Sequence, residues 1–204
     1  MFARSIESRL IEGARGRFVV IVGPDGSGKT TLASAVIDRA GENTAYFHFL
    51  PVAWHDRPPK NGSPPPAKKS PDNAILGWLR LVRNLVRAIV SYRRTVRPAV
   101  AAGTFVVADR WVYGYVGQPE ALRFSGPGFL ARAMVRLLPT PDLVINLAAP
   151  AEVVVSRKAE LTAGEATAEM ARWARLPVAS LLTLDASDPV DVLARRVLEG
   201  ARWP

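Results

Sequence analysis

Fifteen consecutive residues, Arg17-Phe-Val-Val-Ile-Val-Gly-Pro-Asp-Gly-Ser-Gly-Lys-Thr-Thr31, carry the residue types needed to hold a chain of phosphates. Gly23 opens a Gly-x-x-x-x-Gly-Lys-Thr segment, the P-loop pattern. Gly26 and Gly28 let the backbone curl with no Cβ in the way, so that the N–H groups of Gly26, Ser27, Gly28, Lys29, Thr30 and Thr31 turn inward onto an anion. Lys29 then reaches the β- and γ-phosphates, and the Thr30 hydroxyl ligates Mg²⁺. A second candidate lies at Asp109, where the apolar run Thr104-Phe-Val-Val-Ala108 ends in a carboxylate followed by Arg110. That is a Walker B layout, in which Asp109 orients Mg²⁺ through water or takes a proton from an acceptor hydroxyl. A glutamate after such an aspartate would activate water. Arg110 stands there instead, which favours transfer to a bound acceptor over hydrolysis, and no Asn-Lys-x-Asp segment selects guanine.

These groups need elements to position them. Phe18 to Val22, with three valines and an isoleucine, reads as a buried strand before the loop, and Thr30 to Ala40, closed by Gly41, as a helix aiming its positive end at the same anion. A glycine-rich turn that binds nothing is the alternative, and the strand-loop-helix context argues against it. Further strands are expected at Thr44 to Phe49, Thr104 to Ala108, Asp142 to Leu147 and Ser180 to Leu184. Helices are expected at Asn73 to Arg97 (with Pro98 as a kink before Gly103), Phe129 to Leu138, Pro150 to Lys158, a stretch ending at Arg175, and Val190 to Gly200. Strands alternating with helices predict an α/β fold, a three-layer α/β/α sandwich on a parallel sheet of about five strands. His48 lies in the second strand, where a lone histidine is more often packed or hydrogen-bonded than catalytic. Trp111 to Gly128 reads as a loop offering Tyr113, Tyr115, Gln118 and Arg123 to a substrate, and residues 159 to 168 as a polar break.

The 204 residues suit one domain, and no internal repeat is visible. The absence of cysteine excludes disulfides and thiolate chemistry and fits a cytoplasmic location. Met1 to Gly16 is charged throughout and reads as a short amphipathic helix rather than a secretory signal. No uncharged apolar stretch reaches membrane-spanning length. Of the net charge of +9, most lies between residues 51 and 100, which hold ten Lys or Arg against Asp56 and Asp72. Such a face attracts nucleic acid, an anionic membrane surface or a phosphorylated substrate, or is simply a solvated arginine-rich helix face. Residues 50 to 73 contain seven prolines and form either an acceptor-side lid or a disordered loop. The stripe Ile75, Leu79, Val82, Val86 and Ile89 is expected to be core, with a subunit interface as the alternative.

Together, the loop Gly23 to Thr31, Arg97-Pro-Ala-Val-Ala-Ala-Gly-Thr104, Asp109-Arg110, and Pro141-Asp-Leu-Val-Ile-Asn-Leu147 with Glu152 and Arg157 resemble thymidylate kinase. Order and spacing match from about Phe18 to the C-terminus. The resemblance implies a single P-loop kinase domain over residues 1–204, ATP and Mg²⁺ on the loop, and Asp25 near a sugar hydroxyl of the acceptor. It also implies Asp109 and Arg110 at the transfer site, Arg157 at the start of a lid over residues 157–172, and an adenine-side loop at Asp185-Ala-Ser187. Homodimers are usual in that family.

The departures fall on the acceptor side. His48-Phe-Leu-Pro51 replaces the family's Arg-Glu-Pro-Gly segment, and the helix position of its phosphate-binding arginine is Ala88. Arg87 is one residue away, about 100° around the helix. The family's contacts to thymine are not recognisable in Val112 to Pro119. Its transition-state arginine has no counterpart at Gly26, which leaves Arg157, Arg172 or Arg175. The expected activity is therefore phosphoryl transfer from ATP to a small-molecule hydroxyl or phosphate that is not dTMP, with a sugar or glycan as leading acceptor. This looks similar to divergent thymidylate-kinase-like proteins of bacterial surface-glycan systems. A nucleoside or nucleoside monophosphate kinase is the alternative. A third reading is an ATP-binding switch whose basic helix docks on a membrane or protein, with nucleic acid less favoured.

Overall fold

The computed structural model describes residues 15–50, 55, 58, 74–150 and 163–204. Five parallel strands form one sheet in the order β2-β3-β1-β4-β5: β1 Arg17–Val22, β2 Thr44–His48, β3 Phe105–Asp109, β4 Leu143–Ala148 and β5 Leu181–Asp185. Apolar β-branched residues on both faces of β1 and β3 leave no face for water, so helices cover the sheet on each side. On one face Val19, Ile21, Phe105 and Val107 meet α1 (Lys29–Ala40) and the last helix, Val190–Gly200, which pack side by side. On the other, Phe18, Val20, Val22, Val106 and Ala108 meet α2 (Ala74–Ser91), α3 (Arg97–Ala101) and the segments between β3 and β4. The expected α/β sandwich on five parallel strands is what the chain forms. The expected helix at Met1 to Gly16, nearly all of the proline-rich loop and the helix expected at Pro150 to Lys158 lie outside the described residues.

Pro98 does not break the helix that precedes it. Its missing N–H and its ring are accommodated by a π-helical turn at Tyr92–Val96, in which the Arg97 N–H reaches back to the Tyr92 carbonyl, and the helix continues through α3.

The expected core stripe is a correction. Ile75, Leu79, Val82 and Val86 are exposed, at 73, 62, 39 and 53 %, and Ile89 is only half-buried against the core. The buried face of α2 is Leu81, Leu85 and Ala88 with the polar Asn84, whose Nδ2 donates to the Tyr115 hydroxyl at 2.8 Å. Both sets recur at helical spacing, and the one packed inward is the set without β-branched side chains.

Trp111 to Gly128 is also not a loop. It holds a 3₁₀ turn at Trp111–Tyr113, then α4 (Gly114–Gly117), a second 3₁₀ turn at Glu120–Leu122 and the start of α5 (Gly128–Val135). Trp111, Tyr113 and Tyr115 are buried in the core, so the two tyrosines do not offer themselves to a substrate. Residues 163 to 168 of the expected polar break are helical, in α6 (Ala163–Ala174), and residues 159 to 162 lie outside the described residues. The final helix is α7 (Val190–Gly200). Among the described residues no helix is long and apolar enough to cross a membrane.

Candidate active site

Parallel pairing brings the chemistry-bearing residues to one edge. Ile21 and His48 both register against Asp109, so the carboxyl ends of β1, β2 and β3 finish level, with β1 at the point where the strand order reverses. The loop after β1 runs directly into α1. Gly23, Gly26 and Gly28 all hold positive φ (141, 81 and 94°), and Gly28 caps α1 in the left-handed conformation. At Gly23 a Cβ would stand 2.5 Å from the Leu147 carbonyl oxygen, so only glycine passes β4 there.

Lys29 is buried at the first turn of α1. Its ammonium donates to the Pro24 carbonyl at 2.6 Å and lies 3.9 Å from Asp25, folded over the loop it would release on meeting a phosphate. Ser27 is also buried, and its hydroxyl oxygen has no hydrogen-bond partner. Thr30 is half-buried one residue beyond Lys29, while Thr31 is exposed.

Where β2 and β3 leave the sheet, Phe49 and Arg110 adopt φ of 61 and 65°, and Trp111 follows at 43°. Positive φ at three bulky residues is strained backbone, and here it aims side chains into the edge. Arg110 Nη2 pairs with Asp25 of the loop, and Nη1 donates to Gln118 Oε1 at 3.0 Å. Asp109 is buried. Its Oδ2 lies 3.2 Å from His48 Nδ1 and 3.5 Å from the Tyr46 hydroxyl, whereas Oδ1 has no hydrogen-bond partner and stands 3.9 Å from Arg110 Nε. Burial, then the Asp109 charge and hydrogen bond, push the Tyr46 phenol well above the ordinary tyrosine value, so it stays a donor. Burial also lowers the pKa of Arg110, and the charge of Glu169 opposes that shift.

The site residues expected from sequence divide into two groups. Gly23, Asp25, Gly26, Ser27, Gly28, Lys29 and Thr30 stand with Asp109 and Arg110 at one end of the sheet. Asp185 and Ser187 lie at the carboxyl end of β5, where the Ser187 N–H and hydroxyl both bond Asp185 Oδ1 (2.9 and 2.7 Å) and hold its pKa down. Arg157 lies outside the described residues. Arg172 is committed elsewhere: its Nε donates to the Gly117 carbonyl at 2.9 Å, and its Nη2 pairs with Glu120.

Beside Arg110 opens a pocket of about 220 Å³ lined by His48, Phe49, Arg110, Gly114, Gln118, Ala121 and Leu122. Its walls are mostly apolar, and Arg110 is their sole lysine or arginine among the described residues. Ala88 is sealed in the core and Arg87 points outward, so α2 sends no guanidinium into this pocket from those positions.

Sequence reasoning missed Glu169 and the pairing of His48 and Tyr46 with Asp109. A signal existed for Glu169: with Ala166 and Trp173 it forms an i, i+3, i+7 face, and all three are buried. A carboxylate on an apolar helix face must find a partner.

The residues fit a nucleoside triphosphate with a divalent cation. The loop supplies a backbone cradle closed to side chains, and the buried oxygens of Ser27, Asp109 (Oδ1) and Asn146 (Oδ1) lack hydrogen-bond partners around it. The fold is similar to that of thymidylate kinase from Ehrlichia chaffeensis, with a TM-score of 0.54 over 93 % of this chain and 100 % of that one, at 14 % identity. No family model matches the chain, and no curated protein matches it either.

Proposed function

We propose that the chain is an ATP-dependent phosphotransferase, a thymidylate-kinase-like small-molecule kinase whose acceptor is a hydroxyl of a sugar or glycan rather than dTMP. The observation that carries this is the convergence of a phosphate-binding loop with Asp109 and Arg110, the guanidinium being tied to the loop through Asp25. ATP with Mg²⁺ supplies the γ-phosphoryl group and neutralises charge as it moves. The backbone N–H groups of the loop and the start of α1 hold the phosphate chain. Lys29 exchanges its bond to Pro24 for the β- and γ-phosphates, and Thr30 and Asp109 would hold the cation. The alternative role for Asp109 is to take the acceptor proton, which its Oδ1, without a hydrogen-bond partner, supports. Arg110 stabilises the charge of the moving group.

The pocket supports this choice of acceptor. A bound monophosphate calls for more than one cationic side chain, and among the described residues lining the pocket Arg110 alone is cationic and also serves Asp25 and Gln118. Apolar walls with His48 and Gln118 suit the ring face and hydroxyls of a neutral acceptor. One observation favours a nucleotide acceptor instead: Arg110 does line the pocket and would serve a phosphate if it left Asp25.

The test is product formation from γ-labelled ATP and Mg²⁺ across nucleosides, nucleotides, sugars and cell-envelope extracts, with Lys29→Ala and Asp109→Ala as controls. A labelled sugar or glycan that disappears in both variants is the expected result. Efficient labelling of dTMP, dUMP or a nucleoside, with none of sugars, establishes the nucleotide reading. ATP binding without any labelled product establishes a nucleotide-dependent switch.

A further inference from the structure

A buried polar chain runs from α6 to Arg110. Glu169 is only 5 % exposed, and its Oε1 accepts from Gln118 Nε2 at 2.6 Å and from Trp173 Nε1 at 3.3 Å. Gln118, itself 4 % exposed, accepts at Oε1 from Arg110 Nη1 at 3.0 Å. A carboxylate only accepts and a guanidinium only donates, so one amide orientation of Gln118 satisfies both neighbours. The residue type is therefore dictated: an apolar side chain bridges nothing, and a glutamate would set two carboxylates together.

The backbone around Gln118 is clamped to the same helix. Gly117 lies directly on the fully buried indole of Trp173, where any Cβ would overlap the ring, and Arg172 Nε holds the Gly117 carbonyl. At the other end of the chain, Arg110 Nη2 pairs with Asp25. With both terminal nitrogens held, the guanidinium plane is fixed, and its remaining Nε edge faces Asp109 at 3.9 Å without a hydrogen-bond partner.

We propose that Glu169 is a positioning residue for Arg110, acting through Gln118 so that α6 sets the orientation of the guanidinium at the transfer site. The proposal rests on the reading of Arg110 as the transfer-site cation.

Glu169→Gln removes the charge while keeping the shape, and Gln118→Met cuts the bridge at nearly constant volume. Each is measured for turnover alone and combined with Arg110→Lys. In parallel, the arginine Nε–H resonances of ¹⁵N-labelled protein are recorded, with that of Arg110 assigned by its loss in Arg110→Lys. The expected result is a fall in kcat of about 10- to 100-fold for each single variant. KM for ATP should stay within about threefold, and neither change should add loss in the Arg110→Lys background. The Arg110 resonance should shift and lose its protection from exchange in both. Losses that multiply with Arg110→Lys, or unchanged kcat with only a lowered Tm, would reduce Glu169 to packing and overturn the proposal. If the unaltered protein transfers phosphate to no acceptor, the kinase reading fails by itself. The resonance then decides alone: an Arg110 signal unmoved by Glu169→Gln and Gln118→Met overturns the positioning role, and a shifted one sustains it.

Discussion

The proposed donor and acceptor sides of the candidate site are built differently. The donor side is nine contiguous residues, Gly23 to Thr31, whose binding groups are mostly backbone N–H atoms held by one strand and one helix. The acceptor side is made of side chains from separate stretches, namely His48 from β2, Arg110 after β3, Gln118 after α4 and Glu169 from α6. Backbone sites tolerate change in every side chain except those that must be absent or must carry charge. Side-chain sites are lost or retargeted by single substitutions, and this is the half that departs from the thymidylate kinase pattern while the donor half keeps it.

Lys29→Ala should produce the largest effect, because on the proposed reading it removes the loop's cationic side chain from the phosphates. Phosphoryl transfer should fall by about 100- to 1,000-fold, with circular dichroism and Tm close to the unaltered protein, since the ammonium bonds the Pro24 carbonyl of its own loop. Near-normal turnover would mean that the loop is structural, and the comparison between a working donor side and a retargeted acceptor side would collapse.

Gly117→Ala comes next and attacks the acceptor side through packing. The added methyl overlaps the Trp173 ring, so α4 and α6 must separate, at a cost of about 1–3 kcal/mol. In a chain of this size that lowers Tm by several degrees, readable by calorimetry. Turnover should fall further than the stability loss explains, because the same displacement pulls Gln118 from Glu169. A stable but inactive variant would sharpen the contrast; a fully active one would break the link between α6 and Arg110.

The two sides were not equally legible in the sequence. The loop, Asp109 and Arg110 announce themselves because contiguous motifs survive without knowledge of the fold, and alternating strand and helix periodicity was enough for the parallel sheet. Asp109 with His48 and Tyr46 depends on the register of β2 against β3, and a shift of one residue would have turned the histidine to the other face. Gln118 and Glu169 are 51 residues apart, so their bond has no sequence periodicity to reveal it. Helix α2 was misread for another reason. It has two apolar faces at the same spacing, and periodicity does not say which one the sheet takes.

His48→Ala is the milder test of the acceptor side. It removes one hydrogen bond to Asp109 and part of the pocket wall, so kcat/KM for the acceptor should fall about fivefold, while ATP affinity by titration calorimetry stays unchanged. Equal losses in both parameters would place His48 on the donor side and erase the division drawn above.

Leu79→Gln should have the smallest effect and bears on the outer face of α2. Leu79 is 62 % exposed, and glutamine has a similar helix propensity, so stability should change by no more than about 0.5 kcal/mol in urea unfolding. Six arginines, Arg80, Arg83, Arg87, Arg93, Arg94 and Arg97, accompany this stripe between residues 74 and 97, with no acid among them. A two-fold pairing of this face would therefore set arginines near arginines, and counter-ions or partner carboxylates from elsewhere would have to compensate. Sedimentation of the unaltered protein and of Leu79→Gln should then give the same monomeric value. A dimer in the first and a monomer in the second, with a clear loss of stability, would show that a second copy covers the stripe, and that α2 is held from outside while α1 packs against α7 within the chain.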